Sequence, residues 1–277
     1  MKVVLARTAG YCYGVERATR MAFEAVGKAS RPVQSLGSVI HNPQVVARLA
    51  AEGVRVVEAA AEIAQGTAII SAHGRSAAEL DDLAARGVAI VDATCPHVRL
   101  PQRRIAELAR NGFVVVLLGD PAHPEVRSVA SYAGGARVII VTGPEELPDL
   151  SGVAKVGVVA QTTQSRRRFD ALVAALRARV PEVVAYDTIC SATRERQDEA
   201  EALAATVGAM IVVGGRSSAN TRRLAELCRA RCPRTWQIES AAELSAIDLS
   251  GVETVGVTAG ASTPDWVIRE VLDTLEK

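Results

Sequence analysis

Residues 88–125 read VAIVDATCPHVRLPQRRIAELARNGFVVVLLGDPAHPE. This stretch holds an apolar run, a cysteine, a long segment rich in Arg, Ala, Leu and Glu, a second apolar run ending in Gly119, and a polar loop. Val88–Val91 and Phe113–Leu118 are continuous rather than alternating apolar runs, as expected of strands covered on both faces. Gln102–Arg110 between them reads as a helix. Strand, helix and strand in that order predict a parallel βαβ unit.

Working outward, the same unit recurs on either side. Cys12, Cys95 and Cys190 each follow a Val-rich strand candidate, and each opens a helical stretch leading to an apolar run that ends in glycine. Those glycines are Gly37, Gly119 and Gly214, at separations of 25, 24 and 24 residues (37−12, 119−95 and 214−190). A polar loop comes next: His41-Asn42, then Ala122-His123-Pro124-Glu125, then Ser217-Ser218-Ala219-Asn220. Each third then carries a strand and an acidic-apolar segment, around Glu62, Glu145 and Glu243. A last strand leads into a second polar loop: Ser71-Ala72-His73-Gly74, Ala160-Gln161-Thr162-Thr163, and Ala259-Gly260-Ala261-Ser262-Thr263. Val138–Val141, Val156–Val159, Met210–Val213 and Val255–Thr258 complete the strand candidates, with helices at Arg166–Arg179 and Arg194–Val207.

One unit used three times predicts three similar α/β modules with mostly parallel sheets. Their boundaries are expected at 1–96, 97–191 and 192–277, the last including a C-terminal tail. Ligands of such sheets gather beyond the carboxyl ends of the strands, where all of these loops fall. Modules arranged around a pseudo-threefold axis would bring three cysteines and six loops to one central site. Three separate surfaces are the alternative.

The composition sets outer limits. A chain of 277 residues with 49% hydrophobic and 23% charged side chains is a folded protein rather than a disordered one. A net charge of +1 and an aromatic content of 3% give no reason to expect a nucleic-acid partner. No apolar run is long enough for a membrane span, and Met1–Gly10 is too short and too weakly apolar for a secretory signal, so a cytoplasmic location is expected. The five cysteines are too few and too scattered for a disulfide scaffold and are expected as thiols.

Three cysteines at equivalent places in a repeat read as soft metal ligands for zinc, copper(I) or an iron–sulfur cluster. Singly, each would read as a small buried apolar residue. The spacing suits neither a local zinc knuckle nor a compact cluster motif. Cys228 and Cys232 have no counterparts in the other thirds and are expected to pack. A site with three thiolates and no fourth protein ligand keeps an open coordination position, as catalytic metal sites do.

Three of the four histidines, His41, His73 and His123, sit in the repeated loops. With Thr162, Thr163, Ser218, Asn220, Ser262 and Thr263 they form a pool of neutral donors suited to phosphate or diphosphate. Any one of the hydroxyls could instead cap a helix. Gly74 and Gly260 are expected to let a ligand approach the backbone. Glu125 is the one carboxylate in this set: either a proton donor beside an anion, or a first-turn glutamate after Pro124. There is no phosphate-binding P-loop and no convincing dinucleotide fingerprint, so electrons are expected from a partner protein.

Taken together, the motifs resemble the 4-hydroxy-3-methylbut-2-enyl diphosphate reductase (LytB) family. The resemblance is carried by Gly10-Tyr11-Cys12-Tyr13-Gly14-Val15-Glu16-Arg17-Ala18, His41-Asn42, Ser71-Ala72-His73-Gly74 and Asp92-Ala93-Thr94-Cys95-Pro96. It continues in His123-Pro124-Glu125, Gln161-Thr162-Thr163, Thr188-Ile189-Cys190-Ser191-Ala192-Thr193 and Ala261-Ser262-Thr263-Pro264, in the family's order. It implies three α/β modules around a central [4Fe-4S] cluster, held by Cys12, Cys95 and Cys190 with one iron open. It implies diphosphate binding by His41, His73, His123, Ser218, Asn220 and Ser262. Thr162 and Glu125 would face the substrate hydroxyl, with Glu125 delivering protons.

The implied reaction, the last step of the methylerythritol phosphate route to isoprenoids, reduces an allylic alcohol diphosphate to isopentenyl and dimethylallyl diphosphates. The implied electron donor is a protein of ferredoxin or flavodoxin type. Two residues depart from the family pattern: Ala219 replaces a serine, and Tyr13 replaces a small residue, where it would narrow the site or pack behind the cluster. They leave room for a different allylic substrate. The alternative to the whole reading is a paralogue that binds a phosphate ligand with or without a metal and lacks the activity.

Overall fold

The computed structural model describes residues 1–277. The chain opens with β1 (Lys2–Leu5) and α1 (Tyr13–Lys28). There follow β2 (Val33–Leu36), α2 (Pro43–Ala51), β3 (Arg55–Val57), β4 (Thr67–Ile70), α3 (Ala77–Ala85) and β5 (Ala89–Asp92). The middle of the chain carries α4 (Pro96–Arg110), β6 (Val114–Leu118), α5 (Pro124–Ser131), β7 (Val138–Val141), β8 (Lys155–Ala160), α6 (Arg166–Arg177) and β9 (Glu182–Ala185). The last third carries α7 (Ser191–Ala204), β10 (Ala209–Val213), α8 (Ala219–Arg231), β11 (Thr235–Ile238), β12 (Thr254–Ala259) and α9 (Asp265–Leu275). The three acidic-apolar segments become short 3-10 turns at Ala60–Glu62, Pro144–Glu146 and Ala241–Ala246.

The strands form three four-stranded sheets, β3-β2-β4-β5, β7-β6-β8-β9 and β11-β10-β12-β1. All pairings are parallel, and the strand order is the same in each sheet. The repeat expected from the cysteine spacing is therefore a repeat of architecture. The first module, expected to span 1–96, needs correction at its N-terminal end. Lys2 pairs with Thr254 and Leu5 with Val257, so β1 completes the sheet of the last third. It sits there at the edge taken by β5 and β9 in the other two sheets. The physical reason is that the strand before each cysteine closes the sheet behind it, so Cys12 ends the third module rather than starting the first.

Packing divides the chain into two compact units: Met1–Glu16 with His41–Ala47 and Ser191–Lys277, and Arg17–Ile40 with Arg48–Cys190. In the second unit, successive residues of β6 point to opposite faces, as the strand pleat requires. Val115 and Leu117 meet Ile105, Leu108, Val126 and Val129 from α4 and α5. Val116 and Leu118 meet Phe169, Leu172 and Leu176 from α6. The same alternation runs through β10 in the first unit. Met210 and Val212 face Leu224 and Cys228 of α8, whereas Ile211 and Val213 join the core with Val267, Ile268 and Val271 of α9. Each such side chain contributes about 1.5–3 kcal/mol by burial. These doubly covered sheets hold their C-terminal loops on a rigid base.

Candidate active site

The polar loops leave the sheets at matched positions. His41, His123 and Ser218 each lie five residues beyond a strand end, at Leu36, Leu118 and Val213. His73, Thr163 and Ser262 each lie three residues beyond Ile70, Ala160 and Ala259. Each cysteine of the repeat donates its backbone N–H to the loop of the neighbouring strand. Cys95 reaches Ala72 O at 3.0 Å, Cys190 reaches Thr162 O at 3.0 Å, and Cys12 reaches Ala261 O at 3.3 Å. All three are half-buried, form no disulfide, and directly precede helices α4, α7 and α1. A helix N-terminus favours an anionic neighbour such as a thiolate.

Cys228 and Cys232 differ in kind. Both lie in the core between α7, α8 and β10, as expected of packing residues. Burial, followed by the neighbouring Cys232, pushes the Cys228 thiol up to about 12.

In the second unit the structure brings together His73, His123, Glu125, Thr162 and Cys190. Glu125 is 2% exposed in the first turn of α5. Its Oε1 accepts the Thr162 N–H at 2.6 Å and its Oε2 accepts the Thr162 hydroxyl at 2.8 Å. Burial raises the Glu125 carboxyl to about 7 despite the opposing effect of these two bonds. His123 caps α5, its Nδ1 accepting the Glu125 N–H at 3.1 Å. The neutral ring therefore carries its proton on Nε2. The His73 ring meets that of His123 edge to face, with centroids 5.3 Å apart. Cys190 joins the group through the carbonyl of Thr162. Glu125 is thus the first-turn residue expected after Pro124, and it is also a buried carboxyl with a raised pKa.

The first unit brings together Cys12, His41, Ser218, Asn220 and Ser262. The Ser262 hydroxyl donates to His41 O at 3.1 Å and lies 3.5 Å from Ser218 Oγ. Ser218 caps α8 by accepting the Thr221 N–H. Asn220 is 4% exposed, yet neither its Oδ1 nor its Nδ2 has a hydrogen-bond partner in the folded chain. A buried amide in that state costs about 1–3 kcal/mol unless a ligand completes it. Burial, followed by the charge of Arg222, lowers His41 to about 4, which keeps its ring neutral near pH 7.

Some expected residues serve the fold instead. The Thr263 hydroxyl is spent on Val213 O. Gly74 has φ +75°, and a Cβ there would meet Gln102 Nε2 at 2.8 Å and Ser128 Oγ at 3.1 Å. A Cβ on Gly260 would clash with Thr221 Oγ1. At both glycines the direction a Cβ would take is filled by the chain's own side chains. Tyr13 is 67% exposed, so it does not pack behind Cys12.

The sequence reading also missed supports of the cysteine loops. Thr188 is buried, and its hydroxyl donates to Ala160 O and accepts the Ala160 N–H, pinning the loop before Cys190. Arg196, 4% exposed, donates to Gly10 O at 2.8 Å ahead of Cys12. Glu199 accepts the Arg7 and Thr8 N–H groups, each at 2.8 Å. Burial works against ionisation there, but the Thr8 and Arg7 bonds draw Glu199 down to about 2. The available signal was polar residues on the inward face of α7, where Thr193, Arg196 and Gln197 share burial with Ala200 and Ala204.

Comparison with known proteins agrees with this layout. The family model described as LytB protein matches residues 3–276. A protein from Geobacter sulfurreducens named 4-hydroxy-3-methylbut-2-enyl diphosphate reductase is 49% identical over 100% of this chain and 98% of its own length. Its namesake from Trichlorobacter lovleyi is 48% identical over the same shares. A solved structure of (E)-4-hydroxy-3-methyl-but-2-enyl diphosphate reductase, described as the terminal enzyme of the non-mevalonate pathway, shares 39% identity. It superposes with a TM-score of 0.73 over 100% of this chain and 99% of its own. The E-1-hydroxy-2-methyl-but-2-enyl-4-diphosphate reductase of Plasmodium falciparum, 25% identical, gives a TM-score of 0.92 over 100% of this chain and 88% of its own. With the family model covering nearly every residue and full-length relatives close to half identical, the chain belongs to the LytB family.

Proposed function

We propose that this chain reduces (E)-4-hydroxy-3-methylbut-2-enyl diphosphate to isopentenyl and dimethylallyl diphosphates, the last step of the methylerythritol phosphate route. The relatives bear the name of that activity, and the two loop groups carry the donors it needs. The reaction consumes two electrons and two protons. The allylic C–O bond breaks, one proton leaves with the hydroxyl as water, and the other is added to carbon at either end of the allyl unit.

Cys12, Cys95 and Cys190 would hold a [4Fe-4S] cluster with one iron free of protein ligands. The donor set fits: three half-buried thiols, none in a disulfide, at equivalent strand–helix junctions. This assignment requires the three junctions to face one site, the pseudo-threefold arrangement expected from the repeat. When bound, the cluster supplies single electrons and an open Lewis-acidic iron.

Glu125 holds the proton. With its carboxyl raised to about 7, it is partly protonated near neutrality and can give a proton to a leaving hydroxyl. Thr162 positions it by binding both carboxyl oxygens. The observation that carries the reading is the tie between chemistries: Cys190 N–H binds Thr162 O, and Thr162 in turn holds Glu125. His41, His73, His123, Ser218, Asn220 and Ser262 would bind the diphosphate, with the uncommitted amide of Asn220 completed by a phosphate oxygen. The N–H at Ala219, in the first turn of α8, is available to replace the missing serine hydroxyl. Electrons would come from a ferredoxin- or flavodoxin-type protein.

Anaerobic purification with iron and sulfide assays, followed by turnover with dithionite and a viologen, tests this. Brown, active wild-type protein is expected, with Cys95→Ala losing the cluster and Cys228→Ala keeping it. A colourless, iron-free, inactive wild type would leave a phosphate-binding paralogue. A full four-iron cluster in Cys95→Ala would remove Cys95 as a ligand.

A further inference from the structure

The outer face of α4 carries a charge pattern that the proposed chemistry does not use. Val98, Pro101, Gln102, Ile105 and Leu108 point inward and are buried. On the opposite side, positions 99, 103, 106 and 110 follow at steps of four, three and four residues, which places them on one helical face. Three of these are arginines, Arg99, Arg103 and Arg110, and all three are exposed. Extended back by one turn, the same stripe reaches Cys95, which directly precedes the helix. Arg99 is thus about 6 Å of helix rise from Cys95, and Arg110 about 22 Å.

These arginines differ in what they do for the fold. Arg104 pairs with Glu107 at 2.7 Å and stacks on the Tyr186 ring at 4.4 Å. Arg99 pairs with Asp92 at 2.6 Å. Neither Arg103 nor Arg110 has a carboxylate within ion-pair distance, although the charge of Arg110 reaches Glu107. All four border an open cleft of about 670 Å³ that Tyr132 also lines. Glu107 is the one carboxylate in the cleft lining. The chain as a whole is nearly neutral, at +1, so this is a local concentration of positive charge at the helix leading from Cys95.

We propose that this face of α4 is the docking surface for an acidic one-electron carrier protein. The inference rests on the reductase reading, which needs two electrons per turnover and takes them from a separate carrier protein. An acidic carrier fits Arg103 and Arg110, neither of which is held in an ion pair. Arg99 gives it an anchor one turn from the thiol of Cys95. Each docking event oxidises the carrier by one electron and passes that electron to the cluster, so two events complete one reduction. Complementary charge of this kind raises association rates and fixes orientation, and salt weakens it.

The test compares the holoenzyme with R103E/R110E and with R177E/R179E. The second pair makes the same charge change at exposed residues at the end of α6, whose core lies on the other face of the β7-β6-β8-β9 sheet. Turnover is driven either by reduced acidic ferredoxin or by dithionite with methyl viologen, and ferredoxin binding is read separately by surface plasmon resonance. For R103E/R110E we expect the ferredoxin KM and Kd to rise about tenfold or more and to lose most of their salt dependence. Its viologen-driven turnover should stay within about twofold of wild type, and R177E/R179E should match wild type in both assays. Unchanged ferredoxin KM and Kd in R103E/R110E would overturn the docking surface, as would an equal loss in R177E/R179E. Failure of viologen-driven turnover in the wild type would instead strike at the reductase reading.

Discussion

His123-Pro124-Glu125 at the start of α5 and Ser218-Ala219-Asn220 at the start of α8 occupy the same place in two repeats, and their first turns are wired differently. In each, the first residue caps the helix, through His123 Nδ1 or Ser218 Oγ. In each, the third residue is almost fully buried. Glu125 is satisfied within its own module, both oxygens receiving bonds from Thr162. Asn220 receives none, although its amide is as well shielded. The same backbone position thus serves two purposes. In the proposed reaction the closed pair with a raised pKa would store a proton, and the amide without an internal partner would bind a substrate oxygen. The sheet fixes where the third residue sits, and its neighbours decide whether it reacts or binds.

The sharpest way to break this comparison is Glu125→Gln, which keeps the shape and removes the transferable proton. We expect kcat to fall by about 10²–10⁴-fold with substrate affinity nearly unchanged. A loss confined to KM in steady-state kinetics would move Glu125 to the binding side.

A smaller effect concerns stability. The folded carboxyl is raised to about 7 from 4.5. Its protonated form is favoured by folding, so its contribution is fully present below pH 4.5 and is lost as pH rises through about 7. The loss amounts to about 3 kcal/mol. Urea unfolding of the metal-free wild type should therefore lose ground to Glu125→Gln across this window and run parallel above it. Parallel curves throughout would show that burial does not hold the proton.

Asn220→Ala should have the mildest effect, about tenfold in Kd for the diphosphate substrate with kcat preserved. The free protein should not lose stability, because the amide makes no internal bond. An unchanged Kd would erase the distinction between the two helices.

Much of this layout was legible before any coordinates. Runs such as Phe113–Leu118 stand out because strands buried on both faces need apolar residues at every position. The Cys-to-Gly spacings exposed the repeat because equal modules need equal lengths of chain. The place of Lys2–Leu5 was not legible, since four residues of strand do not encode their neighbour and pairing with β12 is decided by the third module's open edge. The side chains that crowd Gly74 and Gly260 were not legible, because a glycine records a close approach without recording by what. Arg196 and Glu199 escaped notice because their partners are backbone groups of the loop before Cys12, almost two hundred residues away in sequence. The bonding of Glu125 by Thr162 and the open amide of Asn220 depend on side-chain geometry that no spacing contains.

The most direct test of Glu125 as the proton source is the pH dependence of viologen-driven kcat. The expected wild-type profile bends downward above about pH 7, approaching tenfold per unit, as the carboxyl of Glu125 ionises. Glu125→Gln should lack that bend. A wild-type profile that stays flat well above pH 7, or a bend that persists in Glu125→Gln, would contradict the assignment.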